Sequence, residues 1–202
     1  MLTRKRFSDG LAELVGRDPD LAGILTAIGP PPLWRRDPGF PTLVQIILEQ
    51  QVSLASARAA FDRLQTRLGR VTPERFASLS DRGLKTIGFS RQKARYCRAL
   101  AAAISTGEFS IDRLARLSDD EARAALMRQV GIGRWTADIY LLMALRRPDV
   151  WPSGDLALAK AVQEVKGLAS IPDAGELDAV SESWRPWRAV AARLLWHHYL
   201  SR

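Results

Sequence analysis

Apolar residues fall three and four positions apart along almost the whole chain. The period-two alternation of β-branched residues that marks a strand is nearly absent, so the pattern predicts an all-α fold. Short helices are predicted over residues 8–15 and 20–28, ahead of Pro30-Pro31-Pro32, where consecutive prolines force an extended connection. Two longer ones are predicted over 40–49 and 53–68, with a break at 50–53 between them. A helix over 73–79 starts behind the N-cap candidate Thr72 with proline in its first position, and another over 90–104 follows a turn at Gly88. Ser118-Asp119-Asp120-Glu121 reads as a capping box opening a helix to about Gln129. The tight turn Gly131-Ile132-Gly133 then leads into a helix over 134–145, and helices over 156–165, 175–183 and 186–200 complete the set. With no fixed-period repeat and no low-complexity linker, one compact unit of two helical lobes is the expected layout.

Length and composition narrow the function classes. A chain of 202 residues, 47% of them hydrophobic, can build a sizeable core and is not a disordered protein. Thirty Lys and Arg against 22 Asp and Glu leave a net charge of +8, which favours an anionic partner, nucleic acid or an acidic membrane. The basic N-terminus has no apolar stretch behind it, and no window approaches the roughly 18 uninterrupted apolar residues of a membrane span, so a soluble, intracellular protein is expected. The single cysteine, Cys97, rules out an internal disulfide, a four-cysteine zinc site and a self-contained four-cysteine iron–sulfur cluster. No G-x-G-x-x-G after a strand and no G-x-x-x-x-G-K is present, so no nucleotide cofactor is expected. No metal site is expected either, because the His197-His198 pair lacks a partner at metal-binding spacing.

The candidate chemistry is concentrated between Val130 and Lys160. Gly131 and Gly133 sit where a side chain would block close approach, so backbone N–H groups of the turn and of the next helix's first turn can point at one phosphate. Taken alone, such a turn reads first as an ordinary helix connection. Between Arg82 and Arg98 lie six basic residues, Arg82, Lys85, Arg91, Lys93, Arg95 and Arg98, with no acidic one and a second glycine turn at Gly88. A basic run by itself reads as a solvated face; joined to two glycine turns it fits a DNA footprint better. Asp155, at the head of the helix over 156–165, reads first as its N-cap.

Five stretches in order then carry a family resemblance. They are Ile47-Leu48-Glu49-Gln50-Gln51-Val52-Ser53, Gly88-Phe89-Ser90-Arg91-Gln92-Lys93-Ala94, Gly131-Ile132-Gly133-Arg134-Trp135-Thr136-Ala137, Asp149-Val150-Trp151-Pro152-Ser153-Gly154-Asp155-Leu156, and Trp184-Arg185-Pro186-Trp187-Arg188 with Trp196. Over roughly three quarters of its length the chain resembles the helix-hairpin-helix base-excision DNA glycosylases, most closely the 3-methyladenine DNA glycosylase II branch. It looks like a core-only form, since the short N-terminal segment leaves no room for the β-domain that the best-known members of this branch carry. The resemblance implies an all-helical, two-lobed fold with the active-site cleft between lobes, here a central lobe of about 41–146 and a second lobe from about 1–40 and 147–202.

The resemblance also implies roles. Asp155 would be the catalytic carboxylate, stabilising positive charge on the deoxyribose as the base leaves and orienting water. A base alkylated at a ring nitrogen is already cationic, so one carboxylate can suffice. Trp135 and Trp196 would face the extruded base, favouring a cationic one by about 0.5–2 kcal/mol. Core packing is the plainer reading of any one tryptophan among six and is accepted for Trp184 and Trp187. Ile139 and Leu156 stand where the branch can carry aromatics, and Tyr140 is expected to face the cleft instead. Gln50 and Gln51 match the loop that fills the gap left by a flipped nucleotide, with Gln51 favoured as the inserted residue; a cap or a lobe contact is the alternative. DNA contacts are expected from Gly131, Gly133, Arg134, Thr136, Gly88, Arg91 and Lys93.

Bifunctional relatives place a lysine two residues past the second hairpin glycine; here that residue is Trp135, which implies a monofunctional hydrolase. Lys160 and Lys166 are expected on the surface. No cofactor is implied as required, although relatives can hold a structural monovalent cation between hairpin carbonyls and a DNA phosphate. The implied partner is duplex DNA with a damaged base, bound by a monomer. A non-catalytic module that binds distorted DNA, or a glycosylase of the same fold for a deaminated or oxidised base, are the rival readings.

Overall fold

Most helices begin where a short polar side chain can close the first turn, and this sets the element boundaries. The computed structural model describes residues 1–202, with twelve α-helices, two short 3-10 helices and no strand. Contacts divide the chain into two units, residues 1–35 with 141–202, and residues 36–140, where the expected division lay near 41 and 146.

The first unit holds α1 (Arg4–Arg17), α2 (Pro19–Ile28), α10 (Leu156–Val165), α11 (Ala174–Ser181) and α12 (Arg188–Leu200). Thr3, Asp18, Asp155 and Asp173 cap the first four of these through their side-chain oxygens. α12 is the central element: it packs on α1, α2 and α10, and every residue from Ala189 to Trp196 is buried. Among them is Arg193, fully buried, whose guanidinium donates to the carbonyls of Ala189 at 2.8 Å, Leu142 at 2.9 Å and Trp34 at 3.2 Å. Burial pulls its pKa down to about 10, and its Nε finds no partner. The arginine ties Trp34 to α12 through carbonyl groups alone. Lys166, expected on the surface, is ion-paired with Asp18 and Asp20 at 2.9 and 2.8 Å.

The second unit holds α3 (Phe40–Glu49), α4 (Leu54–Leu68), α5 (Pro73–Ala77), α6 (Asp81–Ile87), α7 (Arg91–Ser105), a 3-10 helix at Asp112–Arg116, α8 (Asp119–Met127) and the start of α9 (Arg134–Met143). Phe40, Phe76 and Phe89 meet edge to face at 5.9 and 5.5 Å, joining α3, α5 and the turn after α6. The expected capping box is present: Ser118 Oγ accepts the Glu121 N–H while the Glu121 carboxylate accepts the Ser118 N–H.

α3 and α10 have the expected bounds. α1 is longer, because Thr3 caps it before the apolar period begins. α6 was not expected: it has seven residues, Gly83 among them, and only Leu84 and Ile87 are buried, which is too little for a period to show. α9 ends at Met143 rather than 145, and α12 starts at Arg188 rather than 186. No helix is long and apolar enough to cross a membrane.

Candidate active site

In the first unit, Asp155 sits at the end of a loop fastened along its length. Asp149 accepts from Arg185 Nη1 at 2.7 Å and Arg188 Nε at 3.0 Å, which pins the loop to the start of α12. Trp151 is buried against Trp184, ring centroids 5.4 Å apart, and Ser153 Oγ donates to Asp178 at 3.0 Å. The chain then enters α10, and Asp155 Oδ1 accepts the Leu158 N–H at 2.9 Å as its N-cap. Trp196 Nε1 donates to the same oxygen at 3.2 Å. Both side chains are 9% exposed, so the carboxylate is nearly buried and its rotamer is held by two donors. Leu156 beside it is 61% exposed.

In the second unit, the turn after α8 folds as a tight hairpin. Ile132 N–H donates to Gln129 carbonyl at 3.1 Å, and Ala137 N–H reaches back to Gly133 carbonyl at 3.0 Å, starting α9. The first turn of α9 therefore directs its N–H groups and the positive end of its dipole past Gly133. The two glycines differ. Gly131 has φ +83°, and a Cβ there would lie 2.1 Å from the Tyr96 ring. Gly133 has no left-handed φ, and a Cβ there would meet nothing within 4 Å. Nothing inside the protein requires a glycine at 133; the open space is on the outside of the turn.

Several expected site residues are employed elsewhere. Tyr140 does not face a cleft: it has no exposed surface, its hydroxyl accepts the Gly39 N–H at 3.0 Å, and burial pushes its pKa to about 12. Thr136 is 2% exposed, and its hydroxyl accepts from Gln50 Nε2 at 3.0 Å, so its side chain offers nothing to DNA. Gly88 spends its N–H on the carbonyls of Leu84 and Lys85, closing α6, so it has no donor for a phosphate. Lys93 turns inward and donates to the Leu48 carbonyl at 2.7 Å, with its pKa lowered by burial. Arg98 turns to Asp81 and the Leu79 carbonyl. Arg82, Lys85, Arg91, Arg95 and Arg134 remain exposed.

Gln50 is also engaged, donating to the Gly131 carbonyl at 2.9 Å as well as to Thr136. Gln51 is exposed and has a left-handed φ of +55°. Trp135 is half-buried near the start of α9. Asp138, a carboxylate on α9, is fully buried and ion-paired with Arg123 at 2.6 Å and Arg134 at 3.6 Å, and burial raises its pKa. Sequence reading missed Arg193 and Tyr96; an arginine inside the apolar run Ala189-Val190-Ala191-Ala192 to Leu194-Leu195-Trp196 was the available signal for the first. No group of three or more His, Cys, Asp or Glu side chains is arranged to hold a metal. At the hairpin, the Gly131 carbonyl already accepts from Gln50.

Residues 44–186 match the model of the HhH-GPD superfamily base excision DNA repair proteins. The chain is 30% identical over 161 residues to DNA-3-methyladenine glycosylase 1 of Schizosaccharomyces pombe, covering 78% of this chain and 71% of that protein. It is 28% identical over 169 residues to a DNA-3-methyladenine glycosylase of Bacillus subtilis, covering 78% of this chain and 56% of the other, so it spans little more than half of that relative. Among solved structures, the S. pombe 3-methyladenine DNA glycosylase (Mag1) in complex with abasic DNA superposes with a TM-score of 0.87 at 27% identity, covering 93% of this chain and 95% of that one.

Proposed function

The chain belongs to the HhH-GPD superfamily of base excision DNA repair proteins, and from that premise we propose that it is a monofunctional DNA glycosylase that removes alkylated purines from duplex DNA. The observation that carries this reading is the Asp155 carboxylate, nearly buried and fixed by the Leu158 N–H and the Trp196 indole. A simple helix cap needs only the first of these donors.

The N-terminal end of α9, with exposed Gly133 leaving its approach open, grips a backbone phosphate, and exposed Arg134 adds charge beside it. Such contacts position the duplex and read no sequence. The damaged nucleotide leaves the stack and Gln51 fills the gap. As the bond between C1′ and the purine nitrogen lengthens, its electron pair leaves with the cationic base and neutralises it, while positive charge grows on the sugar. Asp155 stabilises that charge and orients a water, whose oxygen bonds to C1′ as a proton is released. The products are the free base and an abasic site.

An indole favours a positively charged ring, and Trp196, bonded to Asp155, supplies one beside the carboxylate. With no lysine at 135, no amine attacks C1′, and strand cleavage does not follow. The partner is double-stranded damaged DNA, engaged by a monomer inside the cell. No cofactor takes part in the hydrolysis; a monovalent cation, if the hairpin carbonyls held one, would supply positive charge for the DNA backbone and no chemistry.

The test is release of 3-methyladenine and 7-methylguanine from methylated duplex DNA by the wild type and by Asp155→Asn, with binding to an abasic-site duplex measured in parallel. Release by the wild type, lost in a variant that still binds, is expected. A folded wild type that binds but releases neither base would replace the reading with another lesion class or a binding module.

A further inference from the structure

Gln50 was expected to compete with Gln51 for the gap in the DNA, yet its side chain points back into the protein. Its amide nitrogen donates to the Gly131 carbonyl at 2.9 Å and to Thr136 Oγ1 at 3.0 Å. A carbonyl can only accept, so this end of the amide must be the NH2, and its two hydrogens serve two acceptors. Those acceptors are the first glycine of the hairpin and a buried residue in the first turn of α9. The bond thus joins the turn after α3 to the element that holds the phosphate.

The same turn is braced from two more sides. Lys93 on α7 donates to Leu48 carbonyl at 2.7 Å, satisfying a carbonyl in the last turn of α3. Arg36 forms a two-pronged pair with Glu49 at 3.0 and 2.8 Å. Residues 48, 49 and 50 are therefore each tied down, and the next residue, Gln51, is exposed with φ +55°. A non-glycine residue holds such a conformation only where its neighbours fix the backbone. The hairpin side of the joint is equally tight, since Gly131 lies against the Tyr96 ring, whose hydroxyl accepts from Gln92 at 2.5 Å.

We propose that Gln50 is a positioning residue that couples the phosphate-holding hairpin to the gap-filling loop, so that seating the hairpin on the backbone sets Gln51 for insertion beside the flipped nucleotide. Gln50 itself does not touch the base. The proposal rests on the glycosylase reading above for its substrate, but its central step is insertion, which can be followed without base release.

The experiment uses the full chain and a duplex containing a tetrahydrofuran abasic analogue with 2-aminopurine in the opposite strand. Gln50→Ala, Gln50→Glu, Gln51→Ala and the double variant with alanine at both positions are compared with the wild type for the fluorescence change on binding. Affinity for undamaged duplex and its salt dependence are measured beside it, and thermal unfolding verifies the fold. Gln50→Ala is expected to weaken the insertion signal and lesion-specific affinity by about tenfold or more, the worth of two hydrogen bonds, while undamaged-duplex affinity and its salt slope are kept.

Gln50→Glu is expected to match the alanine variant, because a carboxylate has no hydrogen for the Gly131 carbonyl. The double variant is expected to be no worse than Gln51→Ala alone, since one residue acts through the other. Additive losses, or an equal loss on undamaged duplex, would overturn the proposal by making Gln50 an independent contact or a mere support for the hairpin. If the wild type gives the insertion signal but releases no alkylpurine, the substrate assignment fails and the coupling stands or falls on the same comparison.

Discussion

Replacing each hairpin glycine by alanine separates the two demands on this turn. At 131, alanine must hold φ +83°, which costs an L-residue roughly 1–2 kcal/mol, and its Cβ would fall 2.1 Å from two Tyr96 ring carbons. Relieving that overlap by moving the ring or the turn adds roughly 1–3 kcal/mol. The sum, about 2–5 kcal/mol, lowers Tm by about 4–20 °C for a chain of this size. At 133 neither term applies, because a Cβ there has no neighbour within 4 Å, and the folded state should change by less than about 0.5 kcal/mol. A methyl group on that side would instead meet a phosphate oxygen, which must come within about 2.9 Å of an N–H to be held. Losing one charge-assisted bond costs about tenfold or more in affinity and lowers the slope of log K against log salt by about 0.9. Circular-dichroism melts and fluorescence anisotropy on an abasic duplex across a salt series measure the two effects. Gly133→Ala binding with wild-type affinity and slope would refute the phosphate assignment; Gly131→Ala melting with the wild type would refute the packing argument.

Three further outcomes follow from the site and its supports. Trp196→Phe keeps an aromatic face but removes the indole donor at 3.2 Å from Asp155, so single-turnover base release should fall by about tenfold or more with abasic-site binding retained; an unchanged rate would detach the indole from the carboxylate's function. Tyr140→Phe removes the acceptor of the Gly39 N–H, costing about 1–2 kcal/mol in a melt while leaving base release at the wild-type rate, and a lost rate with an unchanged melt would restore Tyr140 to the pocket. Burial would raise the Asp18 carboxyl, but hydrogen bonds from the Trp184 indole and the Lys166 ammonium outweigh it and hold it below its ordinary 3.8. Its folded pKa lies under its unfolded one, so the stability it contributes is full above about pH 4 and is lost as pH falls through the folded value. Asp18→Asn should therefore cost stability at neutral pH and flatten the acid limb of Tm, and parallel acid limbs would count against that linkage.

Periodicity and caps made the long amphipathic helices legible. α3 and α10 were bounded from the sequence because each has an apolar face, with Asp155 as the cap before the second. α6 was invisible because its two buried residues are too few to show a period. The site was legible in its residue types and not in the direction of its polar hydrogens. Lys93, Thr136, Tyr140 and Gln50 have the chemistry for DNA or base contacts, but each gives that chemistry to a group inside the protein. The tertiary contact that decides this lies 45 residues away for Lys93 and 101 for Tyr140, beyond any local pattern.

Asp155 illustrates why two readings of a residue need not compete. The plain reading, a helix cap, is fulfilled by the Leu158 N–H at 2.9 Å. That bond is also what gives the carboxylate a fixed position, because a cap holds its side chain at a defined angle to the helix axis. The Trp196 indole then bonds the same oxygen from α12, and the loop before Asp155 is anchored to α12 through Asp149. Structural roles thus supply the rigidity a reacting group needs before any substrate arrives, since a carboxylate already in place loses no further freedom as charge develops on the sugar. The same reasoning predicts that removing the charge while the cap stays in place should harm chemistry more than stability. Asp155→Asn tests it, because the amide oxygen can still accept the Leu158 N–H while the charge is gone.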